Sequence, residues 1–486
     1  MALPKRGIRA SSVAWALACI LSLGVGFFAV SVPEAAAQAV QTEDDKRYTQ
    51  LLQMVYQFIL KNYVDKVDPS KLYEGAMKGM FDSLGDPHSV FLDSNMLSDL
   101  MRETDGKYGG VGLYISKAPG TAAAAYVEVV SPIEDTPAWK AGVQPGDVIL
   151  TIDGESTTDM TIDQASNKIR GQAGSTVKIK FKRGSSYEFE QEFTRAVIEI
   201  PAVKSAVIPY SGGKIGYLRI VDWIPQTADR LKERIAKMEE DRVDRYIVDV
   251  RSNPGGLLSS VVDVSDLFLD SGAIVSTRGR NSEENSEYKA DPAMSIPSAS
   301  RMVVLINKGS ASASEIFAGA MKDRKRAILI GERSYGKGSV QQVFPIDQTG
   351  FKLTMARYYS PSGANIDKKG IEPDILSPGI ELSDQQFTAL NKLLDSGSIK
   401  DFAARNPGAG MSARKAYALE LEKTYDLPGI YLDRLVRDEL ERGSPAKVYD
   451  LEFDTQLGKA MEVISGPDFE SILAGTKTLS QVAEGK

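Results

Sequence analysis

The chain has 486 residues, 42% hydrophobic and 25% charged, with 58 Lys and Arg against 65 Asp and Glu and a net charge of −7. That length exceeds one compact core, so three or four domains are expected, and without a basic excess nucleic-acid binding has no electrostatic support. One histidine, His88, and one cysteine, Cys19, leave too few ligands for a zinc or copper site. No metal and no cofactor is therefore expected, and a serine nucleophile could hardly rely on an imidazole base.

Lys5, Arg6 and Arg9 precede an apolar run from Val13 to Val32, and Pro33 to Ala39 is rich in small residues. A basic flank, a hydrophobic segment and a cleavage site after Ala37 or Ala39 read as an export signal over 1–39. Left uncut, the run is long enough to anchor in a bilayer. The expectation is an exported, periplasmic protein, soluble or attached to the inner membrane. Cys19 falls within this segment, which leaves the mature chain without a disulfide.

Residues 40–104 read as an N-terminal helical segment. Leu51, Leu52, Val55, Phe58 and Ile59 recur at helical spacing, and a second helix over Ser70 to Leu84 ends in the turn Gly85-Asp86-Pro87-His88-Ser89. His88 is expected to cap or pack that turn.

Residues 105–187 form a separate β-rich module. Tyr108-Gly109-Gly110-Val111-Gly112-Leu113 leads into strands, and Ala141-Gly142-Val143-Gln144-Pro145-Gly146-Asp147-Val148-Ile149-Leu150-Thr151-Ile152-Asp153-Gly154 lies at its centre. This order resembles a PDZ domain of the kind found in secreted bacterial proteases. The resemblance implies peptide capture by strand addition, with a C-terminal carboxylate held by the backbone N–H groups of Gly110, Val111, Gly112 and Leu113. The bland alternative is that the glycines make only a strand-entry turn.

From 188 to 382 short β-branched runs alternate with helical stretches: Lys214 to Ile220, Arg245 to Val250, Ala273 to Thr277, Met302 to Ile306 and Ala327 to Ile330. That pattern predicts an α/β core with much of its sheet parallel. Arg280 to Pro297 is polar and reads as an exposed loop. Residues 383–486 are helical and heavily charged, either a solvated appendage or an element for oligomerisation or adaptor docking.

Three motifs carry chemistry. Gly309-Ser310-Ala311-Ser312-Ala313-Ser314-Glu315 follows a strand and opens a helix, where orphan N–H groups favour a developing oxyanion. Ser310, Ser312 and Ser314 all compete for the nucleophile's role, and spacing does not choose between them; a helix cap is the structural alternative. Gly336-Lys337-Gly338-Ser339-Val340-Gln341 offers a lysine whose glycine neighbours allow close burial. A lysine acting as a base near neutral pH needs its pKa lowered from about 10.4 to about 7–8, which desolvation supplies. In an extended run Gln341 would share the lysine's face, and its carbonyl could orient the amine. Asp249 to Leu257 ends a strand with the pair Gly255-Gly256, which can present a further N–H or merely make a turn.

In this order behind a PDZ-like module, the motifs closely resemble the C-terminal processing (tail-specific) serine peptidases over about residues 45–380. The resemblance implies a ClpP/crotonase-like α/β protease core with an inserted PDZ domain. It implies Ser312 as nucleophile, Lys337 as base and Gln341 as third member. It also implies an oxyanion hole from Ala313 with Gly255 or Gly256. Protein substrates with exposed C-termini are the expected partners, with an adaptor protein and a homo-oligomer through the helical regions as further candidates. A catalytically silent PDZ scaffold and a crotonase-like thioester hydrolase are the rivals.

Overall fold

The computed structural model describes residues 43–485 apart from 106, 118–125, 134–135, 145, 185–186, 200, 292–295, 298, 442–443 and 445–446. The expected export signal therefore lies outside the described residues. The chain divides into two compact units, one of residues up to Ser98 with Gln341–Thr354, the other of Asp99–Val340 with Met355–Lys486.

In the first unit, α1 (Glu43–Asn62) is followed by α2 (Pro69–Asp82) and β1 (Val90–Leu92). Asp68 caps α2 by accepting the Ser70 N–H (2.9 Å), and Pro69 occupies the first turn, where a missing N–H costs nothing. β1 pairs antiparallel with residues 350–352, and Phe351 packs on Phe81 and Phe344 with ring centroids 5.4 and 4.9 Å away. Tyr48, Leu51, Leu52, Met54, Val55 and Phe58 of α1 are all exposed. The helix α3 (Ser94–Asp105) leads on into the second unit.

The second unit opens with β2 (Lys107–Gly110), β3 (Leu113–Ser116), β4 (Val127–Pro132), α4 (Pro137–Lys140), β5 (Val148–Ile152), β6 (Glu155–Ser156), α5 (Ile162–Ile169), β7 (Thr176–Arg183), β8 (Tyr187–Thr194) and β9 (Ala196–Glu199). An antiparallel sheet runs β3-β4-β5-β7-β8, and β2 pairs with β9 where the chain enters and leaves. Alternate residues Val127, Val129, Ile149, Val177, Ile179 and Phe181 point inward to one core, closed by Ala165 and Ile169 of α5.

Next come β10 (Val203–Tyr210), β11 (Gly213–Ile220), α6 (Thr227–Glu240), β12 (Arg245–Asp249), α7 (Leu258–Asp266), β13 (Ala273–Gly279), β14 (Ser286–Lys289), β15 (Arg301–Ile306), α8 (Ala313–Asp323), β16 (Ile328–Gly331), β17 (Ser339–Ile346), β18 (Thr349–Tyr359) and β19 (Ile375–Leu376). The main sheet runs β10-β11-β12-β15-β16-β19, parallel throughout except for β10. The run from Ala273 does not join it. As β13, it pairs antiparallel with β14 and with residues 356–359 of β18. Likewise, the polar stretch from Arg280 is no simple loop, since β14 forms within it. Polar side chains suit these strands because one face of the small sheet is wet.

Side-chain alternation gives the main sheet two apolar faces. Leu218, Val248, Val304 and Leu329 pack against Leu231 and Ile235 of α6, Val261 of α7 and Phe317 of α8. Tyr217, Ile247, Val303 and Ile330 pack on the opposite side.

The tail comprises α9 (Asp384–Asp395), α10 (Ser398–Arg405), α11 (Met411–Thr424), α12 (Gly429–Leu440), α13 (Thr455–Ser465), α14 (Phe469–Gly475) and α15 (Leu479–Glu484). It falls into two groups. The first four helices share their own core around Leu393, Leu421, Leu432 and Val436, with Arg414 paired to Asp433 at 2.6 Å. The last three pack on the main sheet and its helices. Leu457, Ala460 and Ile464 of α13 and Phe469 of α14 cover the second face of the main sheet. The Leu479 N–H of α15 donates to Asp323 at the end of α8 (2.7 Å). No helix among the described residues is long and apolar enough to cross a membrane.

Candidate active site

β12 and β15 are parallel neighbours, and the chain leaving their carboxyl ends builds the site, the usual place for one in such a sheet. After β15, three serines meet three different environments. The Ser310 hydroxyl is buried, donates to the Val250 carbonyl (2.8 Å) and accepts from the Asn307 N–H (3.0 Å). The Ser314 hydroxyl is buried, donates to the Asn253 carbonyl (3.0 Å) and accepts from the Trp223 indole (2.9 Å). Both fasten this loop to the chain after β12. Ser312 alone is partly exposed, at the start of α8. Its backbone sits at φ 52°, ψ −114°, a region that costs an L-residue about 1–3 kcal/mol.

Glu315, one turn into α8, collects the site. Its Oε2 accepts the N–H groups of Ser312 (3.0 Å) and Lys337 (2.8 Å), and its Oε1 accepts the Gly336 N–H (2.7 Å) and the Ser334 hydroxyl (2.5 Å). The residue is 1% exposed. Burial pushes its carboxyl above the usual carboxylate range, against the four donors that pull it down. One buried side chain thus pins the backbones of Ser312 and Lys337 to a single oxygen atom. The Tyr358 hydroxyl repeats the bridge from another side, within reach of the Ser312 carbonyl (3.2 Å) and the Lys337 carbonyl. Burial, helped by Glu315 and Asp367, raises this phenol well above its usual pKa and keeps it a donor.

Lys337 is partly buried and lies in the loop before β17, which begins only at Ser339. Glycine is required on both sides of it. A Cβ at Gly336 (φ +97°) would sit 2.8 Å from the Gly370 nitrogen, and one at Gly338 would sit 2.6 Å from the Asp367 nitrogen.

Gly255, at φ +109°, backs directly onto Ser312, where a Cβ would come 2.7 Å from the serine's own Cβ. Its N–H is already donated to the Asn253 carboxamide (2.9 Å). The Gly255 amide is therefore engaged, which leaves Gly256 and Ala313 of the expected set. Gly256 follows Gly255 and pairs as an isolated parallel bridge with Trp223, while Ala313 is the first residue of α8.

Residues 214–377 match the model for peptidase family S41, residues 128–183 a PDZ domain, and residues 26–96 the activating protease CtpB N-terminal domain. A carboxy-terminal-processing protease of Bartonella bacilliformis is 40% identical over 350 residues, covering 70% of this chain and 78% of its own length. Carboxy-terminal processing protease CtpB of Bacillus subtilis is 33% identical over 358 residues, covering 72% and 73%. A solved photosystem II D1 C-terminal processing protease shares 31% identity, with 67% of this chain and 86% of that chain covered at a TM-score of 0.42. The chain belongs to the carboxy-terminal processing serine peptidases of family S41. It is a hydrolase carrying a PDZ domain.

Gln341 of this peptidase lies in the N-terminal compact unit, as do the turn residues Asp86 to Ser89. Its carboxamide nitrogen donates to the Thr354 hydroxyl (3.4 Å), which donates in turn to Asp86 Oδ2 (2.6 Å). Because an ionised carboxylate only accepts, the direction of this chain is set from Asp86 outward. Asp86 also takes the Ser89 hydroxyl (2.6 Å) and the His88 N–H (3.0 Å). Burial raises its pKa, but these hydroxyl and amide donors hold it below the usual range. His88 caps the turn through its backbone.

In the PDZ domain, Gly110 closes β2, Val111 is buried and accepts the Ala138 N–H (2.9 Å), and Gly112 (φ +81°) accepts the Ile133 N–H (2.9 Å). Leu113 then opens β3, which is terminal in its sheet. The glycine loop thus stands at the head of a strand that, among the described residues, pairs on one side only.

Glu315, Asn253 and Tyr358 were not singled out from the sequence. Only Glu315 had a signal there, the Ser-x-x-Glu spacing of a helix start. Asn253 and Tyr358 act through contacts distant in the chain.

Two outcomes test this geometry. Glu315→Gln turns an amide N–H toward two of the four donors, so it should lower stability by about 2–3 kcal/mol in denaturant unfolding and reduce turnover; an unchanged midpoint would contradict the clamp. For Asp86, a depressed carboxyl stabilises above its unfolded value of about 3.9 and the gain is lost as pH falls through the folded value. The thermal-stability gap between wild type and Asp86→Asn should therefore be widest near neutrality and close below about pH 4. A gap independent of pH would refute the assignment.

Proposed function

We propose that this peptidase cleaves by acyl-enzyme chemistry at Ser312, with Lys337 as the general base. The observation that carries the reading is the fate of the three serines. Ser310 and Ser314 spend their hydroxyls on the scaffold, whereas Ser312 is presented at a strained helix start that Glu315 ties to the Lys337 backbone.

In this mechanism the Lys337 amine removes the Ser312 hydroxyl proton as Oγ attacks the scissile carbonyl. The resulting oxyanion is met by the N–H of Ala313 and that of Gly256. The protonated lysine then gives its proton to the leaving amine, and the C–N bond breaks to leave an ester on Ser312. Water, deprotonated by Lys337, hydrolyses that ester and restores both groups. Gln341 completes the relay by orienting the lysine through its carbonyl oxygen. Support comes from the direction of its hydrogen bonds, since the amide nitrogen is turned to Thr354. The parallel sheet with α8 rising from the end of β15 supports a ClpP/crotonase-like core.

The PDZ domain would select substrates by their free C-terminal tails. A tail laid along the open edge of β3 would place its carboxylate on the N–H groups of the Gly110-Val111-Gly112-Leu113 loop. The basic flank and apolar run of the first 39 residues support export to the periplasm, soluble or attached to the inner membrane. Exposed apolar residues along α1 support a homo-oligomer, and the separate core of α9 to α12 offers a place for an adaptor.

Incubating the full chain with a denatured protein substrate, beside Ser312→Ala and Lys337→Ala, tests the reading. Each variant should lose about 10³-fold or more of the cleavage rate while staying folded. Cleavage that survives Lys337→Ala would sink the dyad. Absence of cleavage by the wild type under all conditions would favour the scaffold.

A further inference from the structure

The segment after β12 is held from a distant part of the chain. Arg251 Nη1 and Nη2 donate to Asp454 Oδ1 (2.8 Å) and Oδ2 (2.6 Å), and Nη1 also donates to Gln456 (2.9 Å). The other edge of the same guanidinium grips Asp249, with Nε to Oδ1 (2.9 Å) and Nη2 to Oδ2 (2.6 Å). Asp249 is fully buried and also accepts the Tyr217 hydroxyl (2.6 Å). A planar fork between two carboxylates fixes the arginine in both position and angle.

Asp454 has a second duty. Its Oδ1 accepts the Leu457 N–H (2.9 Å) and so caps α13. The cap of a helix that covers the main sheet is therefore also the anchor of the loop beginning at Val250. Two residues beyond Arg251, the Asn253 carboxamide takes the Gly255 N–H, while its carbonyl takes the Ala311 N–H (3.1 Å) and the Ser314 hydroxyl (3.0 Å). Gly255 in turn abuts Ser312. Directed contacts at Arg251 and at Asn253, linked by two steps of backbone, join the start of α13 to the edge of the nucleophile.

We infer that Asp454, acting through Arg251, is a positioning residue for the Gly255-Gly256 segment, so that the chain beyond the peptidase-family match at residue 377 is part of the catalytic apparatus. The inference rests on the reading of Ser312 as nucleophile with an oxyanion donor from the glycine pair. Without the Asp454 carboxylate the outer edge of the arginine loses its charged partner and keeps only the neutral Gln456 acceptor beside its local carboxylate. The segment then gains freedom in the coordinate that matters for an oxyanion donor, while ground-state binding in the PDZ domain is untouched.

The test is steady-state cleavage of a peptide by full-length Asp454→Asn, which retains an acceptor for the α13 cap, with rates normalised to the fluorophosphonate-reactive sites. Inhibition by a peptide aldehyde, whose adduct places an oxyanion in the hole, is measured alongside. The expected result is a kcat lower by roughly tenfold to a hundredfold, KM within about twofold, and aldehyde affinity weakened by the same factor as kcat. Glu470→Gln, which loosens a different tail-to-core pair with Arg301 (3.1 Å), should match the wild type. Wild-type kcat and aldehyde affinity in Asp454→Asn, or the same loss in Glu470→Gln, would overturn the inference. Ser312→Ala separates the two claims. If it still cleaves, the reading beneath fails; if it is dead while Asp454→Asn is normal, only the positioning role fails.

Discussion

A buried carboxylate with four donors is the constraint on which the rest of the site depends. Glu315 draws one N–H from the start of its own helix and three donors from the loop over residues 334–337, 19 to 22 residues further along the chain. Burying a charge is expensive unless its lone pairs are filled, so the two segments cannot separate without exposing that cost. The strained backbone of Ser312 persists for the same reason. A conformation disfavoured by a few kcal/mol needs surroundings that over-determine it. Glu315, Tyr358 and the abutting Gly255 do so from three directions.

Around this clamp the scaffold is layered. Ser310 and Ser314 stitch the ends of β12 and β15 together through hydroxyls bonded to the Val250 and Asn253 carbonyls. Behind them the main sheet is closed by α6, α7 and α8 on one face and by α13 and α14 on the other. The closing helices of the second face come from the far end of the chain.

Much of this was legible in the sequence because the signals were local. β-branched runs bounded by turns marked four strands of the main sheet, and glycines beside Lys337 marked points of close approach. Other features depend on contacts between residues far apart, which a single sequence does not display. The run from Ala273 reads like its neighbours but pairs antiparallel elsewhere, because strand patterning does not specify a partner. The helices after 383 share one charged composition, yet Leu457 and Ile464 face a sheet while Leu421 and Leu432 face each other. Choosing among three serines needed their hydrogen-bond partners. So did learning that the Gly255 amide is already engaged by Asn253.

The central claim is that Ser312, and neither of its serine neighbours, is the nucleophile activated by Lys337. Reaction of the full-length peptidase with a fluorophosphonate, followed by intact-mass measurement and peptide mapping, addresses it directly. The account predicts one adduct per chain, located on Ser312, formed far more slowly in Lys337→Ala. An adduct on Ser310 or Ser314, or labelling undiminished by loss of the lysine, would contradict it.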